Sequence, residues 1–312
     1  MIKRLATIYD LSLEQIEEVM RRAKYYDEQH QKGVRREDFL HGKVVAMVFE
    51  KPSLRTKVAF EVATTYLGGT PIFLSSSQIL ASGNNVKGRE SIPDIGRNLE
   101  RFCDLIIARV FSHNTILELD ASIKIPIINA LCDRHHPTQS LADLYIIREK
   151  KPNYPHLKVS FIGDGNNVAT SLMQISAITG MDFSIATPKG YEIPETERNV
   201  AVNLAKISGS TLSFLNVPNE AVKDADVVYT DTFVSMGQEE ETNKRVHDFE
   251  GYQVNMELLS HAKKDVSFMH CLPAHRGEEV TDEVMDSPQS IIFDEAVSRM
   301  HIAKALIAMM LG

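Results

Sequence analysis

The feature that most constrains this chain is a regular alternation of short apolar runs with longer segments of helical periodicity. In the first half, apolar runs rich in β-branched residues span residues 43–49, 70–74, 105–111 and 125–131. Continuous apolar runs, rather than alternating ones, predict parallel strands that helices bury on both faces. The first half therefore predicts an α/β unit.

The same alternation restarts after a polar stretch at residues 148–153. Strand-like runs follow at residues 159–163, 183–187, 211–215, 227–230, 266–272 and 291–293. A chain of 312 residues is long enough for two domains. We therefore predict an α/β fold of two doubly wound domains, each with a central parallel sheet. The predicted parts are a first domain at 1–136, a bridging helix at 137–151, a second domain at 152–295 and a C-terminal helix at 296–312 that packs back on the first domain.

Local signals fix several helix ends. Ser12 with Gln15 three residues later forms a capping-box pattern before an amphipathic run, and Gly33 is suited to end that helix. Pro137 suits the first position of the bridging helix.

Composition excludes several classes of function. A formal net charge of -8 disfavours nucleic-acid binding, which needs a cationic face. The three cysteines form no CxxC pair, so neither a disulfide framework nor a metal site is predicted. Nowhere do about 18 apolar residues follow one another, and the N-terminus has no apolar run ahead of a cleavage site. These observations predict a cytoplasmic protein without membrane segments.

In parallel sheets, ligands bind beyond the carboxyl ends of the strands. After the first predicted strand come Ser53, Leu54, Arg55 and Thr56, followed at once by a helical pattern. Hydroxyls, a guanidinium and free backbone N–H groups at a helix N-terminus can bind phosphate. The alternative is an ordinary helix cap with a solvated arginine.

Two further strand ends carry polar groups. Arg109 follows an apolar run, so it needs an anionic partner, either a ligand or a carboxylate such as Glu50 or Asp104. His136 and Gln139 lie at a strand-to-helix turn, where an imidazole and an amide can hold a carbonyl and an amino group. The neighbouring His135 is interpreted as solvated surface.

The second half has its own polar strand ends. Residues 163–167, Gly-Asp-Gly-Asn-Asn, suggest a dinucleotide turn, but Val168 replaces the third glycine of that pattern. The carboxylate of Asp231 and the thiol of Cys271 could meet at a substrate ammonium group. The alternative for Cys271 is a small buried core residue.

Together, and in this order, these motifs resemble the aspartate/ornithine carbamoyltransferase family along nearly the whole chain. The segments 53–56 and 136–139 and Arg109 resemble the half shared by the family. Asp231 with Ser235-Met236-Gly237, residues 163–167 and residues 270–273 (His-Cys-Leu-Pro) resemble its ornithine branch. The sequence departs from the pattern at Leu54, at Thr138 and in a lengthened loop after Gln78.

The resemblance implies transfer of the carbamoyl group of carbamoyl phosphate to the side-chain amine of ornithine, giving citrulline and phosphate, without a metal or cofactor. It implies catalytic roles for Arg109, His136, Asp231 and Cys271. The implied carbamoyl-phosphate contacts are Ser53, Leu54, Arg55, Thr56, Gln78, Arg109, His136, Gln139, Cys271, Leu272 and Arg299. The implied ornithine contacts are Asn167, Asp231, Ser235 and Met236. It also implies a homotrimer, or a multiple of trimers, with Gln78 serving a neighbouring active site.

Other interpretations stay open at this point. Putrescine, an acylated ornithine or aspartate could be the acceptor. An NAD-dependent dehydrogenase is suggested only by the two α/β units and the Gly163–Gly165 turn. A non-catalytic relative would be expected to lack Arg109 or His136, and both are present.

Overall fold

The computed structural model describes residues 2–75, 90–234 and 239–312 of the chain. It divides into two compact units. Unit 1 comprises Met1–Tyr145 and Val297–Gly312, and unit 2 comprises Ile146–Ala296. In the part of the chain that is described, no helix is long and apolar enough to cross a membrane.

Unit 1 contains a parallel sheet with strand order β1-β5-β4-β2-β3. Its strands are β1 (Arg4–Leu5), β2 (Val44–Phe49), β3 (Thr70–Ser75), β4 (Leu105–Arg109) and β5 (Ile127–Leu131). The helices that accompany them are α1 (Leu13–Gln31), α2 (Leu54–Tyr66), α3 (Ile92–Leu99), α4 (His113–Ser122) and α5 (Pro137–Lys150), the last of which continues into unit 2. Every residue of β4 and β5 is buried, as expected for strands covered on both faces.

Unit 2 contains a second parallel sheet, with strand order β10-β9-β6-β7-β8. Its strands are β6 (Lys158–Ile162), β7 (Asp182–Ala186), β8 (Leu212–Leu215), β9 (Val227–Thr230) and β10 (Ser267–Met269). Its helices are α6 (Asn167–Thr179), α7 (Glu195–Ser208), α8 (Pro218–Val222), α9 (Thr242–Asp248), α10 (Met256–Leu259) and α11 (Asp282–Met285). The final helix, α12 (Ile292–Leu311), belongs to unit 1 from Val297 onward. The predicted fold class is confirmed.

Each sheet has a topological switch point, where the chain leaves in opposite directions from two adjacent strands. In unit 1 this point lies between β2 and β4, where Phe49 is paired with Arg109. In unit 2 it lies between β6 and β9, where Ile162 is paired with Thr230. Loops diverge there and leave a crevice at the carboxyl ends of the strands, which is where ligands bind in open α/β sheets.

The three predicted helix ends are confirmed. Ser12 Oγ accepts from Gln15 N at 3.2 Å, and Gln15 Oε1 accepts from Ser12 N at 2.9 Å, which is the predicted capping box. Gly33 has φ +80, a left-handed conformation that glycine adopts without a steric penalty. Helix α5 begins at Pro137, as predicted.

The strand predicted at residues 291–293 is wrong. Ser290 makes only an isolated bridge to Phe268, and α12 begins at Ile292 with Asp294 and Glu295 in its first turn. Carboxylates in the first turn favour helix because they interact with the positive end of the helix dipole. The two-residue strand β1 was also missed, since Arg4 and Leu5 form too short a run to give a period-two signal.

The interpretation of His135 as solvated surface is also wrong. Its side chain is buried, with ring centroids 4.9 Å from His113 and 6.1 Å from Tyr9. Its carbonyl accepts from Cys132 N at 2.9 Å, which shapes the turn before Pro137. Burial, reinforced by the nearby His113, lowers the pKa of His135 to about 3.

We predict that His135 makes the folded state less stable in mild acid. The unfolded chain takes up a proton near pH 6.5, whereas folded His135 stays neutral down to about pH 3. Unfolding therefore becomes easier as the pH falls below 6.5, by up to about 1.4 kcal/mol per pH unit. In urea unfolding, lowering the pH from 7 to 5.5 should reduce the free energy of unfolding of the wild type, and this reduction should be about 1 kcal/mol smaller in His135→Gln. His41→Gln, at an exposed histidine, is the control and should keep the wild-type pH dependence. If the free energy of unfolding changes equally with pH in all three proteins, the assignment to His135 is contradicted.

Candidate active site

The turn between β2 and α2 forms the first part of the site. Ser53 is the N-cap of α2, and its Oγ accepts from Thr56 N at 3.2 Å. Ser53 therefore caps the helix, as the alternative interpretation of this segment predicted. The cap fixes the first turn of α2 at the carboxyl end of the sheet. Leu54 is largely exposed. The N–H groups of this turn provide the donors with which helix N-termini bind anions.

Thr56 is the centre of a buried cationic cluster. Its Oγ1 accepts from Arg109 Nη1 at 3.2 Å and from Arg299 Nη2 at 2.6 Å. All three side chains are buried. Two guanidinium groups that share one neutral acceptor produce a strongly positive position, which an anionic ligand would stabilise.

The surroundings of this cluster add to its positive potential. Arg55 Nε is buried and has no hydrogen-bond partner among the described residues. Burial and, secondarily, Arg109 lower the pKa of Lys51. The carboxylates offered as partners for Arg109 bind other groups: Glu50 Oε2 accepts from Phe111 N at 2.6 Å, and Asp104 Oδ1 accepts from Lys43 Nζ at 2.8 Å.

At the end of β5, His136 and Gln139 are both buried. Burial, with the charges of Arg299 and Arg109, lowers the pKa of His136 well below 6.5, so the imidazole is neutral at physiological pH. Thr138 Oγ1 lies 3.4 Å from His136 Nδ1. When that hydroxyl donates to Nδ1, the ring proton is on Nε2, where it can be donated to a ligand oxygen.

An acidic side chain orients the Gln139 amide. Gln139 Nε2 donates to Asp143 Oδ1 at 2.8 Å, one helical turn further along α5. A carboxylate can only accept, so this bond fixes which end of the amide is nitrogen. The Gln139 oxygen therefore points away from Asp143.

In unit 2, the switch point between β6 and β9 joins three polar side chains. Asn166 caps α6 through Oδ1, which accepts from Val168 N at 2.9 Å, and its Nδ2 donates to Asp231 Oδ2 at 2.8 Å. The other oxygen of Asp231 accepts from Cys271 Sγ at 3.2 Å. Asp231 is thus held between an amide and a thiol at the sheet edge, which is a suitable place for a substrate ammonium group.

The segment that carries Cys271 is fixed by its neighbours. The His270 backbone N–H donates to Glu295 Oε2 at 3.0 Å, and His270 Nε2 lies 3.2 Å from Glu279 Oε1. His270 Nδ1 accepts from Leu272 N at 2.9 Å. Leu272 has φ +59, a conformation that L-residues adopt only when their surroundings enforce it. The enforced bend after β10 sets the direction of the Cys271 side chain.

A buried ion pair supports the loop after Asp231. Arg245 Nη1 donates to Asp164 Oδ2 at 2.8 Å and to the Phe233 carbonyl at 3.0 Å. Arg245 therefore ties α9 to the ends of β6 and β9. Removing Arg245 would leave the buried Asp164 carboxylate without its cation, whereas Arg245 also pairs with Glu241 through Nε at 3.0 Å.

Among the described residues, two groups of side chains have the spacing of metal ligands. Asp231, His270 and Cys271 each present one ligand atom within 4.8 Å of the other two, and so do His275, Glu278 and Glu279. The first group includes Asp231 and Cys271, the two residues that could meet at a substrate ammonium group. A thiophilic cation would therefore compete with that use of the site.

Many of the predicted site residues lie near one another within their own unit. In unit 1 the structure brings Ser53, Thr56, Arg109 and Arg299 together, with His136 close enough for both arginines to lower its pKa. In unit 2 it brings Asp231 and Cys271 together. Gln78, Ser235 and Met236 lie outside the described residues.

Sequence reasoning missed two residues of the site. Asn166 donates to Asp231, a contact that the sequence did not predict for either of the two adjacent asparagines. Arg245 was missed because its partner Asp164 is 81 positions away and no motif links them.

A positively charged site suited to an anion lies at the switch point of unit 1, and a carboxylate–thiol pair lies at the switch point of unit 2. Separate sites for a donor and an acceptor are what a two-domain transferase requires. Residues 3–149 match the carbamoyl-P binding domain of aspartate/ornithine carbamoyltransferases. Residues 156–310 match the Asp/Orn binding domain of the same proteins. The chain belongs to the aspartate/ornithine carbamoyltransferase family.

Individual relatives agree with this assignment. An ornithine carbamoyltransferase of Caldicellulosiruptor saccharolyticus is 49% identical over 86% of this chain and 86% of its own length. One from Bacillus subtilis is 46% identical over 98% of this chain and 92% of its own length. The solved ornithine carbamoyltransferase of Pyrococcus furiosus superposes with a TM-score of 0.94 at 44% identity, covering 100% of this chain and 97% of that one. The family assignment displaces the dehydrogenase alternative.

We predict that Thr56→Val lowers the affinity for carbamoyl phosphate at least about tenfold, because the two guanidinium groups lose their shared acceptor and a charge-assisted contact is worth roughly 1.5–3 kcal/mol. Thr65→Val, on the same helix but exposed, is the matched control, since its hydroxyl bonds only Glu61 O. Calorimetric titration of both variants, with thermal unfolding to verify the fold, decides the point. Wild-type affinity in a folded Thr56→Val protein would remove Thr56 from the site.

Proposed function

We propose that this protein transfers the carbamoyl group of carbamoyl phosphate to the side-chain amine of L-ornithine, giving L-citrulline and phosphate. The observation that carries the proposal is the Asp231 carboxylate held between Asn166 and the Cys271 thiol at the acceptor-domain switch point. The names of the relatives support ornithine as the acceptor. Putrescine, an acylated ornithine and aspartate are the alternatives.

The proposed donor site is in unit 1. The backbone N–H groups and side chains of residues 53–56 would bind the phosphate together with Arg109 and Arg299. Leu54 would contribute only its backbone, since its side chain points into solvent. Two buried guanidinium groups that converge on Thr56 support this assignment, because their combined positive charge favours a bound anion.

The carbamoyl carbonyl would be polarised by neutral His136 and by Arg109. Charge develops on that oxygen as the amine attacks, so donors fixed beforehand stabilise the transition state more than the substrate. The Gln139 oxygen, directed by Asp143, would accept from the carbamoyl amino group. Leu272, bent by its bond to His270, would offer its carbonyl to the same amino group.

The acceptor must lose a proton before it can attack. An alkyl amine like that of lysine has a pKa of about 10.4, so only about one molecule in a thousand or fewer is neutral at pH 7. Asp231 and Cys271 would bind and orient this amine. In the transfer, the C–N bond forms, the C–O bond to phosphate breaks, and the phosphate released can take the proton. The step needs no covalent intermediate or cofactor.

The α-amino and carboxylate groups of ornithine are assigned to Asn167, Ser235 and Met236. Asn167 lies in the first turn of α6, beside the Asn166 cap. Closure of the Ser235 loop over ornithine would exclude water, which competes as a nucleophile. We also propose a cytoplasmic location, because the partly exposed Cys271 thiol must stay reduced to contact the amine.

The test of this function separates the donor from the acceptor. With wild-type protein we expect citrulline from carbamoyl phosphate and ornithine. Asp231→Asn should lower kcat/KM for ornithine at least about 100-fold while changing the Kd of carbamoyl phosphate less than about threefold, because the carboxylate serves only the amine. Asp224→Asn is the control, since it makes the same change at an exposed position of the same unit, where φ +57 suits asparagine equally well. Equal damage to both substrates in Asp231→Asn would contradict the division of roles.

We further propose that the protein is a homotrimer, or a multiple of trimers, with shared active sites. Strand β3 lies at the edge of the first sheet, and it exposes Ile72 and Phe73. Val58 of the neighbouring helix α2 is exposed as well. An apolar sheet edge favours association with another chain. Gln78, three residues beyond β3, would then contact the neighbour's carbamoyl phosphate.

Mixed trimers test this sharing. A chain lacking the Gln78 side chain and a chain lacking that of Arg109 should each form inactive trimers. In a closed three-fold ring, random equal mixing leaves about a quarter of the junctions with both side chains intact, so about a quarter of wild-type activity should return after co-refolding. The controls are each variant refolded alone. If the trimers mix but no activity returns, Gln78 acts within its own subunit or another loop residue, such as Lys87, makes the contact.

A further inference from the structure

Unit 2 contains a second concave site, at the carboxyl ends of β7 and β8. The cavity has a volume of about 180 Å³. It is lined by Ile185, Thr187, Glu192, Ile193, Arg198, Phe214, Leu215 and Asn216. The switch point with Asp231 lies between β6 and β9, so this cavity is on the opposite side of β6 and is not part of the proposed ornithine site.

Arg198 is the distinctive group of this cavity. Its guanidinium carbon lies 5.5 Å from the centroid of the Phe214 ring, and its Nε is buried without a hydrogen-bond partner among the described residues. The nearby carboxylates bind elsewhere: Glu192 Oε2 accepts from Gly190 N at 2.9 Å, and Glu197 Oε2 accepts from Gln174 Nε2 at 2.8 Å. Among the described residues no carboxylate forms an ion pair with Arg198, so its guanidinium can pair with the carboxylate of a ligand.

Part of the remaining wall is apolar, and this part is well fixed. Ile185, Ile193, Phe214 and Leu215 provide hydrocarbon surface. Asn216 Nδ2 donates to the Thr187 carbonyl at 2.7 Å, and Tyr252 Oη donates to the Asn216 carbonyl, so the two strand ends are tied together. The segment with Ile193 is fixed too, because Gly165 N donates to Tyr191 O at 2.8 Å and a side chain at Gly165 would collide with the Ile193 backbone.

We propose that this cavity binds a small carboxylate whose body is a single ring or a compact apolar group. The planar guanidinium of Arg198 can form a bidentate pair of hydrogen bonds with a carboxylate, while the Phe214 ring lies beside the guanidinium. The apolar wall accommodates the body. A dry cavity of about 150 Å³ holds a benzene molecule, so a site of about 180 Å³ admits one ring and excludes a nucleotide.

Benzoate is the probe for this proposal, and methyl NMR of the full-length protein is the measurement. Benzoate should shift the methyl resonances of Ile185, Ile193 and Leu215, which line the cavity. Arg198→Gln should weaken benzoate binding at least about tenfold, the loss expected when an anion loses its guanidinium partner. Lys206→Gln removes one positive charge from the exposed face of the same helix and should leave binding unchanged.

Two probes on the wild-type protein keep the test independent of any folding defect in Arg198→Gln. Benzamide has the ring without the charge, and inorganic phosphate has charge without the ring. Each should bind at least about tenfold more weakly than benzoate. Benzamide binding as well as benzoate would refute the role of Arg198, and phosphate binding as well as benzoate would refute the role of the apolar wall. Absence of shifts at all three cavity residues with benzoate would refute the site itself.

Discussion

The hydroxyl of Thr56 joins the two buried arginines on which the proposed donor site depends. It receives hydrogen bonds from Arg109 and Arg299, two buried cations from different elements of unit 1. Two like charges that share one acceptor in a partly desolvated site repel each other by roughly a few kcal/mol. A bound dianion such as carbamoyl phosphate would relieve this repulsion, while burial, together with the same two cations, keeps His136 neutral so that it can donate a hydrogen bond.

The fold explains why the polar groups occur where they do. Strands β4 and β5 are buried throughout, which leaves their carboxyl ends as the positions where polar side chains can emerge. In each unit the loops diverge between two central strands, β2 and β4 or β6 and β9, and those gaps hold the Thr56 cluster and the Asp231 cluster. In the proposed function each gap binds one substrate, the donor at the Thr56 cluster and the acceptor at the Asp231 cluster.

Much of this arrangement could be predicted from local signals. The continuous apolar runs predicted the central strands, and inspection of their ends located Ser53, Thr56 and Asp231. Contacts distant in sequence could not be predicted locally: Arg299 is 243 positions from Thr56 and was implied only by the resemblance to a family. The prediction of a strand at residues 291–293 was wrong because three apolar residues do not distinguish a strand from a first helical turn. The interpretation of His135 as solvated was wrong because its burial arises from packing against His113 and Tyr9, which no local sequence pattern encodes.

We propose that Asp231 and Cys271 select a side-chain amine as the acceptor, and this selection can be measured in a competition between acceptors. Carbamoyl phosphate labelled with carbon-13 is mixed with the protein and equal concentrations of ornithine, putrescine, an acylated ornithine and aspartate, and the products are separated by mass spectrometry. We expect the label to enter citrulline almost entirely, at the side-chain nitrogen. A product mixture dominated by carbamoylated putrescine, acylated ornithine or aspartate, or label released only by hydrolysis, would contradict it.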